Sequence, residues 1–218
     1  MSKSSDSPRF IVVEGPIGVG KTTLAKRLAA TYGTQLLLEG ADENPFLNRF
    51  YKNPRDSALP TQLFFLFQRS RQLQELRQGD MFKPIRVSDF LMEKDRLFAE
   101  ITLDEDELNL YEQVYQHLTL DMPKPDLVVY LQAPVDVLLK RVEKRGSAYE
   151  KDITAEYLQR VSDAYADFFY HYQNSPLLIV NAAEINLAEG NADYDMLLER
   201  IEEIERGRHY FNPLPVKL

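Results

Sequence analysis

One octapeptide, Gly15-Pro-Ile-Gly-Val-Gly-Lys-Thr22, constrains the fold of this chain more than any other feature. It follows the apolar run Arg9–Glu14 and precedes helix-forming residues 22–32, so it lies between a predicted buried strand and a predicted helix. Its glycines let backbone N–H groups point at phosphate oxygens, and the helix start adds a favourable dipole. Lys21 can reach the outer phosphates, and the Thr22 hydroxyl can bind Mg²⁺. The pattern predicts a nucleotide-binding loop; the alternative is a glycine-rich turn that binds nothing. The residues expected to hold the nucleotide are Gly15, Pro16, Ile17, Gly18, Val19, Gly20, Lys21, Thr22 and Thr23.

Strands and helices alternate along the rest of the chain, which favours a parallel sheet covered by helices on both faces. The predicted strands are Arg9–Glu14, Gln35–Leu38, Ile85–Ser88, Asp126–Leu131 and Leu177–Asn181. The predicted helices span residues 22–32, 61–78, 90–101, 104–118, 135–145, 155–172 and 194–206. The pattern therefore predicts an α/β protein with a P-loop NTPase fold, a five-stranded parallel sheet and a short arginine-bearing lid. The 218 residues suit one domain over residues 9–218, after a disordered tail of residues 1–8.

Composition excludes several classes of protein. The formal net charge is -8, and so acidic a chain is not expected to bind nucleic acid, which needs a basic face. The chain has no cysteine, which excludes disulfides, thiolate metal sites and a cysteine nucleophile. Its first residues lack the apolar run of a signal peptide, and its apolar stretches are too short to span a bilayer. We expect a cytoplasmic protein without a membrane partner.

Two acids follow predicted strands. Glu39 ends the second strand and Asp89 ends the third, and open α/β sheets bind ligands at the carboxyl ends of their strands. A kinase that acts on an alcohol benefits from a base that takes the hydroxyl proton. Glu39 is the candidate for that base, with Glu43 as its nearest rival and a solvated loop acid as the alternative.

The helix predicted over residues 61–78 carries Gln62 and Arg69, which are seven residues apart and so project from one face. Together with Phe65, an amide and a guanidinium can form a nucleobase pocket. By themselves, these residues also suit the surface of an ordinary amphipathic helix.

Arg141 and Arg145 are i and i+4 near the end of another predicted helix. Arginines so placed can close over a transferring phosphoryl group and stabilise its charge. The alternative is a solvated basic helix end that the helix dipole favours.

From the phosphate loop to about Tyr172, these landmarks together resemble the deoxyribonucleoside kinases, the group that contains deoxycytidine, deoxyguanosine and deoxyadenosine kinases. The resemblance implies transfer of a phosphoryl group from ATP to the 5′-hydroxyl of a deoxyribonucleoside, with deoxyadenosine first and deoxycytidine or deoxyguanosine next. It implies Glu39 as the base, Lys21, Arg141 and Arg145 as phosphate-stabilising cations, and Thr22 and Asp89 as the residues that hold Mg²⁺. A homodimer is also implied.

The same resemblance assigns the nucleoside contacts. Gln62, Arg69 and Asp95 would read the base, and Tyr51 with Glu150 would hold the 3′-hydroxyl. Two rival functions remain: a nucleoside monophosphate kinase of the thymidylate kinase type, and a nucleotide-binding subunit without turnover.

Two positions depart from the family pattern. Phe90 stands where an arginine near the phosphates is usual, and Ser147 stands where a third lid arginine is often found. Phenylalanine cannot donate to a phosphate, so another cation has to supply that charge. Lys94 and Arg86 are the candidates in that part of the sequence.

Overall fold

The computed structural model describes residues 9–78, 85–120, 122–185 and 192–213. The predicted disordered tail, residues 1–8, lies outside the described residues, and so do residues 214–218 at the end of the predicted domain.

A parallel sheet organises the molecule. Its strands are β1 (Arg9–Glu14), β2 (Leu36–Leu37), β3 (Ile85–Ser88), β4 (Leu127–Gln132), β5 (Leu177–Asn181) and β6 (Arg208–Phe211). They lie in the order β2-β3-β1-β4-β5-β6, and each neighbouring pair is parallel. The α/β prediction is confirmed, but the predicted number of five strands was wrong because the structure has six.

Eight α-helices lie in the described residues: α1 (Lys21–Tyr32), α2 (Leu47–Lys52), α3 (Pro54–Gln78), α4 (Lys94–Thr102), α5 (Glu105–Thr119), α6 (Val135–Arg145), α7 (Ala155–His171) and α8 (Ala192–Glu203). Single 3₁₀ turns cover Ala41–Glu43 and Ala148–Glu150. Within the described ranges, no helix is long and apolar enough to cross a membrane.

Alternate residues of β1 supply two cores, one on each face of the sheet. Ile11 and Val13 pack in a cluster with side chains of α1, α6 and α8. Phe10 and Val12 pack in a second cluster with side chains of α3, α4, α5 and α7. Helices therefore cover both faces of the sheet, as predicted.

Two helices begin more than two residues away from their predicted starts. The third helix was expected to start at Thr61, but it starts at Pro54 and continues through Pro60, whose missing N–H removes only one helical hydrogen bond. The helix expected from Phe90 begins at Lys94. Residues before it are diverted because the N–H of Phe90 donates to the Ser88 hydroxyl.

The sixth strand, β6, lies at the edge of the sheet and pairs in parallel with β5. Arg208 fixes it to the preceding layer, because one guanidinium nitrogen donates to the carbonyls of Phe169, Tyr170 and Tyr172 at the end of α7. A cation is favourable at a helix carboxyl end. No strand was predicted here from the sequence.

Candidate active site

The phosphate loop joins β1 to α1 and needs glycine at two crowded positions. Gly15 has φ 150° and Gly18 has φ 84°. A Cβ at Gly15 would lie 2.2 Å from the carbonyl oxygen of Leu131, and one at Gly18 would lie 2.7 Å from that of Leu138. The loop therefore packs directly against the end of β4 and against α6, with no room for a side chain.

Lys21 begins α1 and curls back over this loop. Its ammonium donates to the carbonyl oxygens of Gly15 at 2.7 Å and Pro16 at 3.2 Å. Burial lowers the pKa of Lys21 to about 8, against an opposing effect of Glu14. A ligand that brought phosphate oxygens here would restore the charged form of the lysine.

Thr22 and Asp89 lie in contact across the site. The Thr22 hydroxyl donates to Asp89 Oδ2 at 2.6 Å, while Asp89 Oδ1 accepts from the backbone N–H of Glu39 at 2.8 Å. Desolvation raises the pKa of Asp89, and the hydrogen bond from Thr22 opposes that shift. A hydroxyl and a buried carboxylate are hard oxygen donors, so the pair fits Mg²⁺ shared with nucleotide phosphates.

A cavity of about 420 Å³, hereafter the acceptor cavity, opens beside Thr22 and Asp89. Its size suits a small organic ligand. Besides Ile17 and Gly18 of the phosphate loop, it brings together nine of the catalytic, acceptor-binding and metal-binding residues predicted from sequence. They are Lys21, Thr22, Glu39, Tyr51, Gln62, Arg69, Asp89, Arg145 and Glu150.

Glu39 lies at the centre of this arrangement, between two cations. Lys94 Nζ donates to Glu39 Oε1 at 2.8 Å, and Arg69 forms an ion pair with the same oxygen. These cations stabilise the ionised carboxylate. The rival acid Glu43 is exposed and accepts instead from the Gln68 amide at 2.8 Å.

Arg69 links Glu39 to the residues that are predicted from sequence to read the base. It forms a second ion pair with Asp95, and its guanidinium lies 4.9 Å from the centre of the Phe65 ring. Asp95 is buried, and its contact with the site runs through Arg69. Gln62 donates its Nε2 to the Thr102 hydroxyl at 3.2 Å.

The two predicted lid arginines face different partners. Arg145 forms an ion pair with the buried acid Glu150, with Nε to Oε2 at 2.9 Å. Arg141 donates to the carbonyls of Val19, Ala182 and Ala183, away from the acceptor cavity. Arg141 instead lines a second cavity with the phosphate loop, Lys144 and Arg145.

Tyr51 lines the acceptor cavity within a group of aromatic rings. Its ring meets those of Phe50 and Tyr157 edge-on, with centres 5.2 Å and 5.9 Å apart. Desolvation raises the pKa of Tyr51 well above its usual value, and Tyr157 and Glu150 add to the shift. The phenol therefore stays neutral and can donate a hydrogen bond.

Two residues of the site were missed or left undecided by sequence reasoning. Glu14 is fully buried at the end of β1, and it accepts from the N–H of Leu91 at 2.8 Å and from the Tyr165 hydroxyl at 2.9 Å. The feature that could have revealed Glu14 is the one that predicted Glu39 and Asp89: each is an acid at the carboxyl end of a strand. Lys94 had been one of two candidate cations, and only its buried position distinguishes it.

The sheet, the phosphate loop and the adjoining acceptor cavity define a P-loop phosphotransferase. The deoxynucleoside kinase family matches residues 11–205, so the chain belongs to that family. It is a kinase, and membership of the family implies that it uses ATP.

Relatives with established names agree at the level of the family. The chain is 33% identical to a deoxyguanosine kinase of Bacillus subtilis over 89% of its own length and 97% of the relative. It is 30% identical to a deoxyadenosine kinase of Lactobacillus acidophilus over 90% and 96% of the two chains. A deoxyadenosine kinase of M. mycoides with bound dATP has the same fold, with a TM-score of 0.77 and 23% identity over 89% of this chain and 100% of that one.

Proposed function

We propose that the enzyme phosphorylates the 5′-hydroxyl of deoxyadenosine, with deoxyguanosine and deoxycytidine as its next substrates. The observation that carries this proposal is the position of Glu39. Its carboxylate accepts from Lys94 and pairs with Arg69, while its backbone N–H donates to Asp89. A base at this point lies between the phosphate-binding side and the side that recognises a nucleobase.

The reaction is an in-line transfer. The 5′-oxygen bonds to the γ-phosphorus of ATP, the bond from that phosphorus to the bridging oxygen of ADP breaks, and Glu39 takes the hydroxyl proton. Lys21 and Arg145 stabilise the charge on the phosphates, and Arg141 contributes from the nucleotide side. Thr22 and Asp89 would hold Mg²⁺, which neutralises phosphate charge when it is bound.

The amide of Gln62 supports adenine as the preferred base. One N–H of its Nε2 donates to Thr102, and its carbonyl oxygen remains available to a base. A carbonyl oxygen accepts from the exocyclic amino group of adenine or cytosine, whereas the O6 of guanine would repel it. Arg69 supplies donors to ring nitrogens, with Asp95 holding its guanidinium.

The sugar is held on the opposite wall. The neutral Tyr51 phenol and the Glu150 carboxylate line the same cavity and together suit one 3′-hydroxyl. The ion pair of Glu150 with Arg145 connects this wall to the phosphate side, so a bound sugar also orders the lid arginine.

A single substrate panel tests the proposal. ATP consumption with Mg²⁺ is measured against the deoxynucleosides, their ribo counterparts and the deoxynucleoside monophosphates. We expect turnover on deoxyadenosine first. A clear preference for deoxyguanosine, the substrate named for the Bacillus relative, would overturn the choice of base.

The same panel separates the two rival functions. Turnover on monophosphates alone would indicate a thymidylate kinase-like enzyme and would remove Glu39 from its role. ATP binding without turnover on any acceptor would indicate a non-catalytic subunit.

The enzyme is further proposed to act as a homodimer in the cytoplasm. Two large apolar side chains are exposed on helices that pack against each other, Phe67 on α3 and Leu110 on α5. Exposed apolar surface of this kind suits a second copy of the chain.

A further inference from the structure

The side chain of Phe90 packs in the core and does not line the acceptor cavity, although its ring centre lies 5.9 Å from the Arg69 guanidinium. It is 1% exposed and belongs to the core cluster that contains Leu66 and Leu73. Residue 90 therefore contributes to the core. The positive charge that an arginine at this position would bring to the phosphates has to come from another residue.

Lys94 is a buried cation beside Glu39. It lies four residues after Phe90, in the first turn of α4, and its side chain is only 2% exposed. Its Nζ lies 2.8 Å from Glu39 Oε1 and 3.7 Å from Glu14 Oε2, and the side chain lines the acceptor cavity. Burying an ammonium is costly even when it is paired, and replacing a whole buried ion pair by apolar side chains of similar volume is often neutral or stabilising. A lysine retained here points to a role in the reaction.

Arg86, the other candidate cation, forms a hydrogen bond away from the acceptor cavity. It lies in β3, and its Nη1 donates to the carbonyl oxygen of Leu76 at the far end of α3. It does not line the acceptor cavity described above.

We propose that Lys94 supplies the cation missing at position 90, as the positioning residue for Glu39. It holds the carboxylate toward the acceptor hydroxyl before transfer. When Glu39 takes the proton, its carboxylate becomes neutral, and the ammonium becomes the counter-charge of the new 5′-phosphate. The inference rests on the proposed function of Glu39.

Glu14 fixes the position of this lysine. Its Oε1 accepts from the N–H of Gly15 at 2.9 Å, and its Oε2 accepts from the N–H of Leu91 and faces Lys94. One buried carboxylate therefore holds the first peptide of the phosphate loop and the lysine beside the base.

The charged groups that face Lys94 come from five elements. They are Glu14 of β1, Lys21 of α1, Glu39 after β2, Arg69 of α3 and Asp89 after β3. Burial, followed by Arg69, lowers the pKa of Lys94 to about 8, while the acids oppose the shift.

The absence of cysteine from the chain allows a direct test of charge against shape. Lys94→Cys introduces the single thiol of the protein, and 2-bromoethylamine converts it to a side chain that ends in an ammonium at nearly the reach of lysine. Iodoacetamide gives a neutral side chain of similar length. The wild type, treated identically, controls for damage, and mass spectrometry reports the extent of alkylation.

We expect Lys94→Cys to lose about 100-fold in kcat with little change in the KM for ATP. Aminoethylation should recover at least about ten-fold of that loss, and the neutral adduct should recover none. Recovery with both adducts, or with neither while ATP still binds, would overturn the proposal.

Lys94→Met removes the charge at similar volume and provides the second variant. We expect it to melt below the wild-type temperature, because the buried Glu14 carboxylate loses the cation that faces it, and to be as inactive as Lys94→Cys. Near-normal turnover would refute the role of Lys94. A wild type that phosphorylates no deoxynucleoside would instead refute the proposed function, which separates the two failures.

Discussion

At the scale of single residues, the site depends on a carboxylate held between two cations. Lys94 and Arg69 both contact Glu39, which keeps it ionised and fixes its direction. Glu39→Gln should lower kcat by about 10²–10⁴ and leave the KM for deoxynucleoside within a few-fold, because the amide keeps the shape of the side chain but cannot take the proton. Steady-state assays with a coupled ADP readout would measure both constants.

The matched control is Glu43→Gln. Glu43 is exposed and accepts from Gln68, so we expect its loss to leave kcat unchanged. Equal effects of the two substitutions would remove the distinction between Glu39 and its neighbour.

A second prediction concerns pH. Bound ATP adds negative charge beside Lys21 and raises its pKa, so at saturating ATP the alkaline loss of activity should report Lys94, whose pKa is about 8. Activity should fall as pH rises through that value, because the ammonium is lost. In Lys94→Arg the fall should move to higher pH, since a guanidinium stays charged. An unchanged pH profile in that variant would assign the loss to another group.

Sequence reasoning predicted the acids of the site better than the cations. Glu39 and Asp89 follow from a topological rule, because carboxyl ends of parallel strands meet at one edge of the sheet. Glu14 obeys the same rule, yet the sequence does not reveal its hydrogen-bond partners, which come from residues far along the chain. Lys94 became identifiable only once β1 and β2 supplied carboxylates within reach of one helix start.

At the scale of elements, the phosphate loop is the most constrained connection. Gly18→Ala would bring a Cβ to 2.7 Å from the carbonyl oxygen of Leu138 in α6. We expect ATP affinity to fall by at least about 100-fold, because the phosphate loop and α6 must move apart to make room for the Cβ. Isothermal calorimetry with ATP would measure the loss.

Gly33→Ala is the control for this substitution. Gly33 also has a positive φ of 58°, but a Cβ there meets nothing within 4 Å. It should cost about 1–2 kcal/mol of unfolding free energy and leave ATP affinity unchanged. A comparable loss of affinity in both variants would mean that stability, and not the close approach to α6, governs binding.

The boundaries of elements were predicted less well than their types. The long helix α3 was predicted, but its start was placed at Thr61, directly after Pro60, and the helix in fact continues through that proline. The edge strand β6 gave no buried apolar run, since three of its four residues are half-buried and Tyr210 is exposed. Its position depends on the contacts of Arg208 with α7, which act at long range.

At the scale of the whole molecule, the parallel sheet gathers chemistry from distant parts of the chain. The proposed homodimer adds a prediction here: light scattering should give the mass of two chains of 25.3 kDa. Glu at both Phe67 and Leu110 should reduce the mass to one chain, because charge is costly in a buried interface. Met196→Glu, on an exposed position of α8, should leave the mass unchanged. A wild-type mass of one chain would refute the dimer.

The strand order has a consequence for how the protein folds during its synthesis. The first of the described strands, β1, pairs with β3, which begins at Ile85, and with β4, which begins at Leu127. Until both emerge, β1 is an apolar segment with two open edges, and contacts this distant in sequence form slowly. The phosphate loop is synthesised early but acquires its shape only after β3 and β4 have been made. A nascent chain that stops before β4 should therefore need a chaperone and should not bind ATP.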